Sequence, residues 1–242
     1  RRTSSLTITE KTAGDFVSEA DQNAEAAIFK YLDTALPGYG WLGEESGDRP
    51  STAQGYRWIV DPLDGTTNFL KGLPHWAISI ALYQRDEPIA ALVFDPMKSE
   101  TFSAERGKGA YLNGQRITVA DGTEINTALL ATGVPNGGRS TYLGHCLRDL
   151  DALMPQSAGV RRFGAAALDL AYVAAGRFDT YWERNLGPWD IAAGALIVQE
   201  AGGCVRPLWA NQSLLASGSF VAGPAKLVDA VFAHLDRDKA HR

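Results

Sequence analysis

The sequence predicts an α+β half over residues 1–126 followed by an α/β half over residues 127–242. Three observations carry this. One long helix-forming segment near the start gives way to short apolar segments separated by turn residues. From about residue 127, strand-like and helix-like segments alternate. No repeat, low-complexity tract or long linker divides the chain, so one compact unit with an active site in the cleft between the halves is expected. The 242 residues, 45% hydrophobic and 21% charged, are ample for its core.

Residues 19–36, EADQNAEAAIFKYLDTAL, place apolar side chains at helical spacing, and Pro37-Gly38 stops them. The next stretch, GYGWLGEESGDRPSTAQG, is rich in Gly, Ser and charge and reads as loop. YRWIVDP reads as a strand ending at Asp61, because a residue before proline prefers extended backbone. WAISIALYQ and EPIAALVFDP read as two apolar strands joined by a charged turn. ETFSAERGKGAYLNGQRITVA adds further strands, with Asn113-Gly114 as a hairpin turn. In the second half, ALLATGVP, GVRRFG and FDTYWER read as strands. TYLGHCLRDLDALMP, AAALDLAYVAAG and PWDIAAGALIVQEAGG read as helices, stopped by Pro155, Gly176 and Gly202-Gly203.

Composition excludes several classes. The formal net charge of -5 argues against a nucleic-acid or acidic-membrane surface. No apolar run approaches the roughly 20 residues of a membrane span, and no secretory signal is visible. The chain opens at Arg1-Arg2 rather than Met, consistent with a leading segment outside it. Cys146 and Cys204 form neither a CxxC nor a Cys/His cluster, so a disulfide framework and a structural zinc are not expected and a reducing cytoplasm fits.

The chemistry concentrates in WIVDPLDGTTNFL, residues 58–70. Asp61 ends an apolar run, Pro62 sets a turn, and Asp64 can swing back beside Asp61. Two adjacent carboxylates make a ligand set for hard divalent cations such as Mg²⁺. Gly65 and the threonines offer free backbone N–H groups, which cradle a phosphate if a helix turn starts there. A bare DxxDG is usually an ordinary Asx-type turn; the full string is more specific. Glu44 and Glu45 sit in a Gly-flanked loop. Asp190 and Asp21 fall near helix N-termini, where Asp is favoured on structural grounds alone.

In combination these segments resemble the inositol monophosphatase family of magnesium-dependent, lithium-sensitive phosphomonoesterases. WIVDPLDGTTNF at 58–69 and WDIAAGALIVQEAGG at 189–203 match its two signatures nearly letter for letter. GEES and DFVSEAD fall in the expected order, and the likeness runs from about Lys11 to near the C-terminus. It implies the layered αβαβα sandwich of the sugar-phosphatase superfamily, which joins inositol monophosphatases and fructose 1,6-bisphosphatases, and a homodimer. It also implies two to three Mg²⁺ ions. Glu44, Asp61 and the Leu63 carbonyl would hold the first, and Asp61, Asp64 and Asp190 the second; a third would be held mainly by Glu44. Thr66 and Asp21 would orient and deprotonate the attacking water. The N–H groups of Gly65 and Thr66 would hold the phosphate, next to Asp64. Glu183, Ala166 and Asp190 would lie at the substrate's ring, Arg161 at the substrate site, and Lys11 at the base of a mobile loop.

The resemblance further implies a soluble cytoplasmic enzyme acting on inositol 1-phosphate and related polyol or sugar monophosphates. The alternatives are the same chemistry on histidinol phosphate, fructose 1,6-bisphosphate or NADP 2'-phosphate, or a regulatory protein that binds transcription machinery, as some bacterial relatives do. DGTTNF, in place of DGTKEF, disfavours the 3'-phosphoadenosine 5'-phosphate branch. Ala165 stands where relatives often carry Ser or Thr. No nucleophilic Ser or Cys motif is present, and His75, His145, His234 and His241 fall outside the motifs and read as structural or surface residues.

Overall fold

The computed structural model describes residues 8–12, 15–134, 141–209 and 212–235. A hairpin of β1 (Ile8–Thr12) and β2 (Asp15–Ser18) leads into α1 (Glu19–Ala35). Ser18 caps α1: its hydroxyl accepts from the Ala20 N–H, and Asp21 accepts from the Ser18 N–H at 2.8 Å. Then come β3 (Gly40–Gly43), β4 (Gly47–Arg49), β5 (Tyr56–Asp64), the short α2 (Thr66–Leu70), β6 (Ala77–Gln84) and β7 (Glu87–Asp95). β8 (Glu100–Glu105), β9 (Gly109–Leu112) and β10 (Gln115–Ile117) complete an eight-stranded sheet of order β10-β9-β8-β7-β6-β5-β3-β4. The GYGWLGEESGDRP segment, expected as loop, thus contains a two-stranded hairpin. β3 runs parallel to β5, with Gly43 opposite Val60.

The second half supplies β11 (Leu129–Thr132), α3 (Leu143–Leu153), β12 (Gly159–Arg161), α4 (Ala166–Ala174), β13 (Thr180–Glu183) and α5 (Pro188–Glu200). β14 (Cys204–Pro207), α6 (Leu214–Ser217), β15 (Phe220–Gly223) and α7 (Ala225–His234) follow. Its five strands lie in the order β12-β11-β13-β15-β14, parallel across β12, β11 and β13 and antiparallel at β15 and β14. The antiparallel edge makes this a mixed sheet.

Burial explains the layering. Every residue of α4 is buried, and so are residues 191–198 of α5. A helix apolar on all sides needs partners on all sides. Both helices lie between the two sheets: α5 packs on β5 to β8 and also on β14 and β15, while α4 packs on β7, β13 and β15. α1 covers the outer face of the first sheet at β5; α7 covers the second, with α3 packed on α7 and its Leu153 in the same apolar cluster as Leu130 and Trp182. The layers are therefore αβαβα. Each fully buried Leu or Ile of the central layer, such as Leu168, Leu170, Ile191 and Ile197, contributes about 1.5–3 kcal/mol. Among the described residues no helix is long and apolar enough to cross a membrane.

Candidate active site

The end of β5 departs from the expected turn in a way that builds the site. The strand does not stop at Asp61; it runs through Pro62 to Asp64. Asp61 lies opposite Ser79 and Asp64 opposite Ala77, so three steps on β5 match two on β6. One extra residue is inserted, a β-bulge. In a regular strand, residues three apart point to opposite faces. The bulge corrects the parity and brings Asp61 and Asp64 to one face. Proline, lacking an N–H, is tolerated at such a break in the ladder.

That face meets the central helices. Ser79, opposite Asp61, donates its hydroxyl to the Trp189 carbonyl at 3.1 Å, which draws the start of α5 against the sheet. Asp190, in the first turn of α5, accepts from the Gly187 N–H at 2.7 Å. Asp64 accepts from the Ala166 N–H at 3.1 Å and the Ala167 N–H at 2.8 Å, two otherwise unpaired donors at the start of α4. Asp61 accepts from the Leu63 N–H at 2.9 Å. Carboxylate oxygens of Asp61, Asp64 and Asp190 lie within 4.8 Å of one another. Glu44 follows Gly43 at the end of β3, and its N–H donates to the Val60 carbonyl at 3.2 Å, beside Asp61.

The cost of this clustering appears in the proton affinities. Burial, then the charges of Glu44, Asp64 and Asp190, push Asp61 well above the usual carboxylate range. Burial, then Asp64 and Glu44, do the same to Asp190. Burial raises Asp64 to about 6 against the pull of the α4 N–H groups. Among the described residues no Lys or Arg pairs with any of the three. Buried carboxylates converging without a counter-charge fit a divalent cation, and hard oxygen donors suit Mg²⁺ in type.

The second chemical feature stands beside the cluster. Gly65 begins α2 with φ of 90°, a left-handed conformation that favours glycine, and this directs the chain from Asp64 to Thr66. Thr66 Oγ1 lies 3.1 Å from Asp21 Oδ1 and 3.1 Å from the Leu63 carbonyl oxygen. Asp21 is held by the Ser18 hydroxyl at 2.6 Å as well as its N–H.

Of the other sequence-predicted residues, Glu183 ends β13, where its carboxyl accepts from the Tyr181 hydroxyl and burial raises it to about 8. A Cβ on Gly133 would fall 1.9 Å from that carboxyl group, so the missing side chain is what gives Glu183 its berth. The Ala166 N–H is taken by Asp64. Ala165 is buried, 3.2 Å from where a Gly65 side chain would begin. Arg161 is exposed and folds back onto the Val160 carbonyl at 3.2 Å. Arg162 is the arginine whose charge acts on Glu183 and Asp169. Lys11 falls in β1. His75 stacks edge-on to Phe163, His145 is buried in α3, and His234 ends α7, as structural residues do; His241 lies outside the described residues. Gly133 went unread in the sequence, and so did Glu25, a buried acid of α1 that accepts from the Glu45 and Ser46 N–H groups. Glu25 had a signal: it stands four residues after Asp21, on the same helical face.

A layered αβαβα body that gathers Asp61, Asp64 and Asp190 beside the Thr66–Asp21 pair has the fold and site of a phosphatase. The chain is a member of the inositol monophosphatase family, whose model matches residues 1–239. It is 47% identical over 226 residues to the inositol-1-monophosphatase of Rhizobium meliloti (strain 1021), covering 93% of this chain and 85% of that protein. It is 45% identical over 229 residues to a protein of Pseudomonas aeruginosa named Nus factor SuhB, covering 93% and 84%. Among solved structures, the extragenic suppressor protein suhB from Bartonella henselae superposes with a TM-score of 0.93 at 41% identity, covering 97% of this chain and 90% of that one.

Proposed function

We propose that this protein is a Mg²⁺-dependent phosphatase of inositol 1-phosphate and related polyol or sugar monophosphates. The observation that carries the proposal is the convergence of Asp61, Asp64 and Asp190 within 4.8 Å, next to the Thr66–Asp21 pair. Asp61, Asp64 and Asp190, with Glu44 and the Leu63 carbonyl, would hold two to three ions. Such ions neutralise a phosphate monoester and lower the pKa of water. The protein's own groups do the positioning. Thr66 has one hydroxyl hydrogen and two acceptors, Asp21 and Leu63, so its oxygen remains free to accept from a water. Asp21, fixed by Ser18, holds that hydroxyl in place and takes up the proton's charge. The N–H groups at Gly65 and Thr66 receive the phosphate oxygens. Glu183, seated against Gly133, faces the ring hydroxyls of the alcohol.

The test is kcat/KM for inositol 1-phosphate against histidinol phosphate, fructose 1,6-bisphosphate and NADP, with and without Mg²⁺. Preference for inositol 1-phosphate and dependence on Mg²⁺ are expected, and Li⁺ should inhibit. Parity between inositol 1-phosphate and fructose 1,6-bisphosphate would sink the narrow assignment. A second reading, a regulatory partner of transcription machinery, is favoured by the Nus factor name of the P. aeruginosa relative. A pull-down with RNA polymerase, run with Mg²⁺ and with EDTA, separates it from catalysis. A cytoplasmic homodimer belongs to the same proposal, and sedimentation of the purified protein decides the oligomer.

A further inference from the structure

α1 is a polar-faced helix with two buried acids, Asp21 and Glu25. Asp21 serves Thr66. Glu25, one turn further on, is 3% exposed and serves a different segment. Its Oε2 accepts from the Glu45 N–H and its Oε1 from the Ser46 N–H, each at 2.9 Å. A carboxylate gripping two successive backbone N–H groups fixes a turn as firmly as a side chain can. The residue just before these two is Glu44, whose own N–H is held by Val60. The backbone of Glu44 is therefore pinned on one side by β5 and on the other by Glu25.

The local sequence is shaped around this clamp. A Cβ on Gly43 would lie 2.6 Å from the Glu25 carboxyl group and 2.5 Å from Trp41 Nε1, so only glycine lets the turn close on the helix. Trp41 Nε1 in turn donates to Ser46 Oγ at 3.0 Å. Among the described residues Glu25 has no place in the cluster of Asp61, Asp64 and Asp190.

We infer that Glu25 is a positioning residue for cation binding, acting through Glu44. One face of α1 then aligns both halves of the centre: Asp21 sets the hydroxyl of Thr66, and Glu25 sets the carboxylate of Glu44. This rests on the proposed cation role of Glu44, and the test separates the two. A cavity of about 410 Å³ adjoins Glu25, between Phe29 of α1 and Ser46, and gives water a route to the N–H groups if the carboxylate is removed.

The experiment is calorimetric titration of Mg²⁺ into metal-free protein for wild type, Glu25→Ala, Glu44→Gln and the double variant. Glu25→Ala is expected to weaken affinity about 10-fold or more, as loss of an outer support does. In the Glu44→Gln background the same substitution should change affinity little, because its route is gone. Glu25→Gln retains the shape but turns one acceptor into a donor facing an N–H, so it should weaken affinity even where the alanine variant fails to fold. Unchanged affinity in Glu25→Gln, or an equal loss in both backgrounds, overturns the positioning role while leaving Glu44 as a ligand. No effect of Glu44→Gln alone overturns the cation role of Glu44 and this inference with it.

Discussion

Asp64→Asn separates the two opposing roles of one side chain. Asp64 donates charge to the cluster and also receives the first N–H groups of α4. In the metal-free protein its pKa stands at about 6 in place of 3.8, with burial the main cause and the α4 bonds already opposing it. That rise corresponds to about 3 kcal/mol of ionisation cost in the folded state. The sign follows from proton binding. The folded protein holds the Asp64 proton more tightly than the unfolded chain does, so its stability is highest below about pH 4. That advantage is lost as the pH rises to about 6 and is constant above. Asparagine cannot ionise and keeps one acceptor for the helix. In EDTA at about pH 8 the variant should therefore be more stable than wild type, by up to about 3 kcal/mol, with the gap closing near pH 4. Saturating Mg²⁺ should reverse the order, since a ligand at about 1,000 times its Kd adds about 4.1 kcal/mol to wild type alone. Phosphate release should be abolished throughout. Urea unfolding at several pH values, with EDTA and with Mg²⁺, reads all of this. A variant less stable than wild type in EDTA at about pH 8 would refute the reasoning, because the α4 bonds would then outweigh the repulsion.

Thr66→Val keeps the branched shape and removes the hydroxyl that bridges to Asp21. It should lower kcat about 10²–10⁴-fold while Mg²⁺ affinity holds, and a near wild-type kcat would count against Thr66 as the water's handle. Gly133→Ala forces a methyl group into the Glu183 carboxyl. KM for inositol 1-phosphate should rise about 10-fold, with 4-nitrophenyl phosphate turnover unaffected; equal loss on both substrates would point to a general defect. Glu183 should titrate near pH 8 in the metal-free protein by carboxyl NMR and shift down on adding Mg²⁺, since a nearby cation favours the ionised form. A midpoint in the ordinary carboxylate range without metal would contradict its burial.

Much of this was legible in the residues. The helix expected over 19–36 and found over 19–35, the apolar pair β6 and β7, and the Asn113-Gly114 turn follow from periodicity and turn chemistry, and Asn113 and Gly114 do take positive φ. The acids Asp61, Asp64 and Asp190 were legible as a motif, but how they meet was not. Residues 61 and 64 fall on opposite faces of any regular strand, and the bulge that reunites them is defined only by the pairing with Ser79 and Ala77 on β6. The β3–β4 hairpin was hidden because Gly40, Gly43 and Gly47 erase the alternation a strand displays. Glu25 carries no motif of its own; its contacts depend on a turn 20 residues away folding against it. Asp64 as the acceptor for α4 likewise depends on a contact across 102 residues, which no local pattern announces.

The proposed divalent-cation centre comprises Asp61, Asp64 and Asp190, with Glu44. Anomalous diffraction from crystals soaked in Mn²⁺, a heavier stand-in for Mg²⁺, tests it most directly. The expected result is a peak within coordination distance of carboxylate oxygens of all three aspartates, with Glu44 beside it and the peak absent in Asp61→Asn. A fully active protein whose Mn²⁺ peaks lie away from these residues would contradict it.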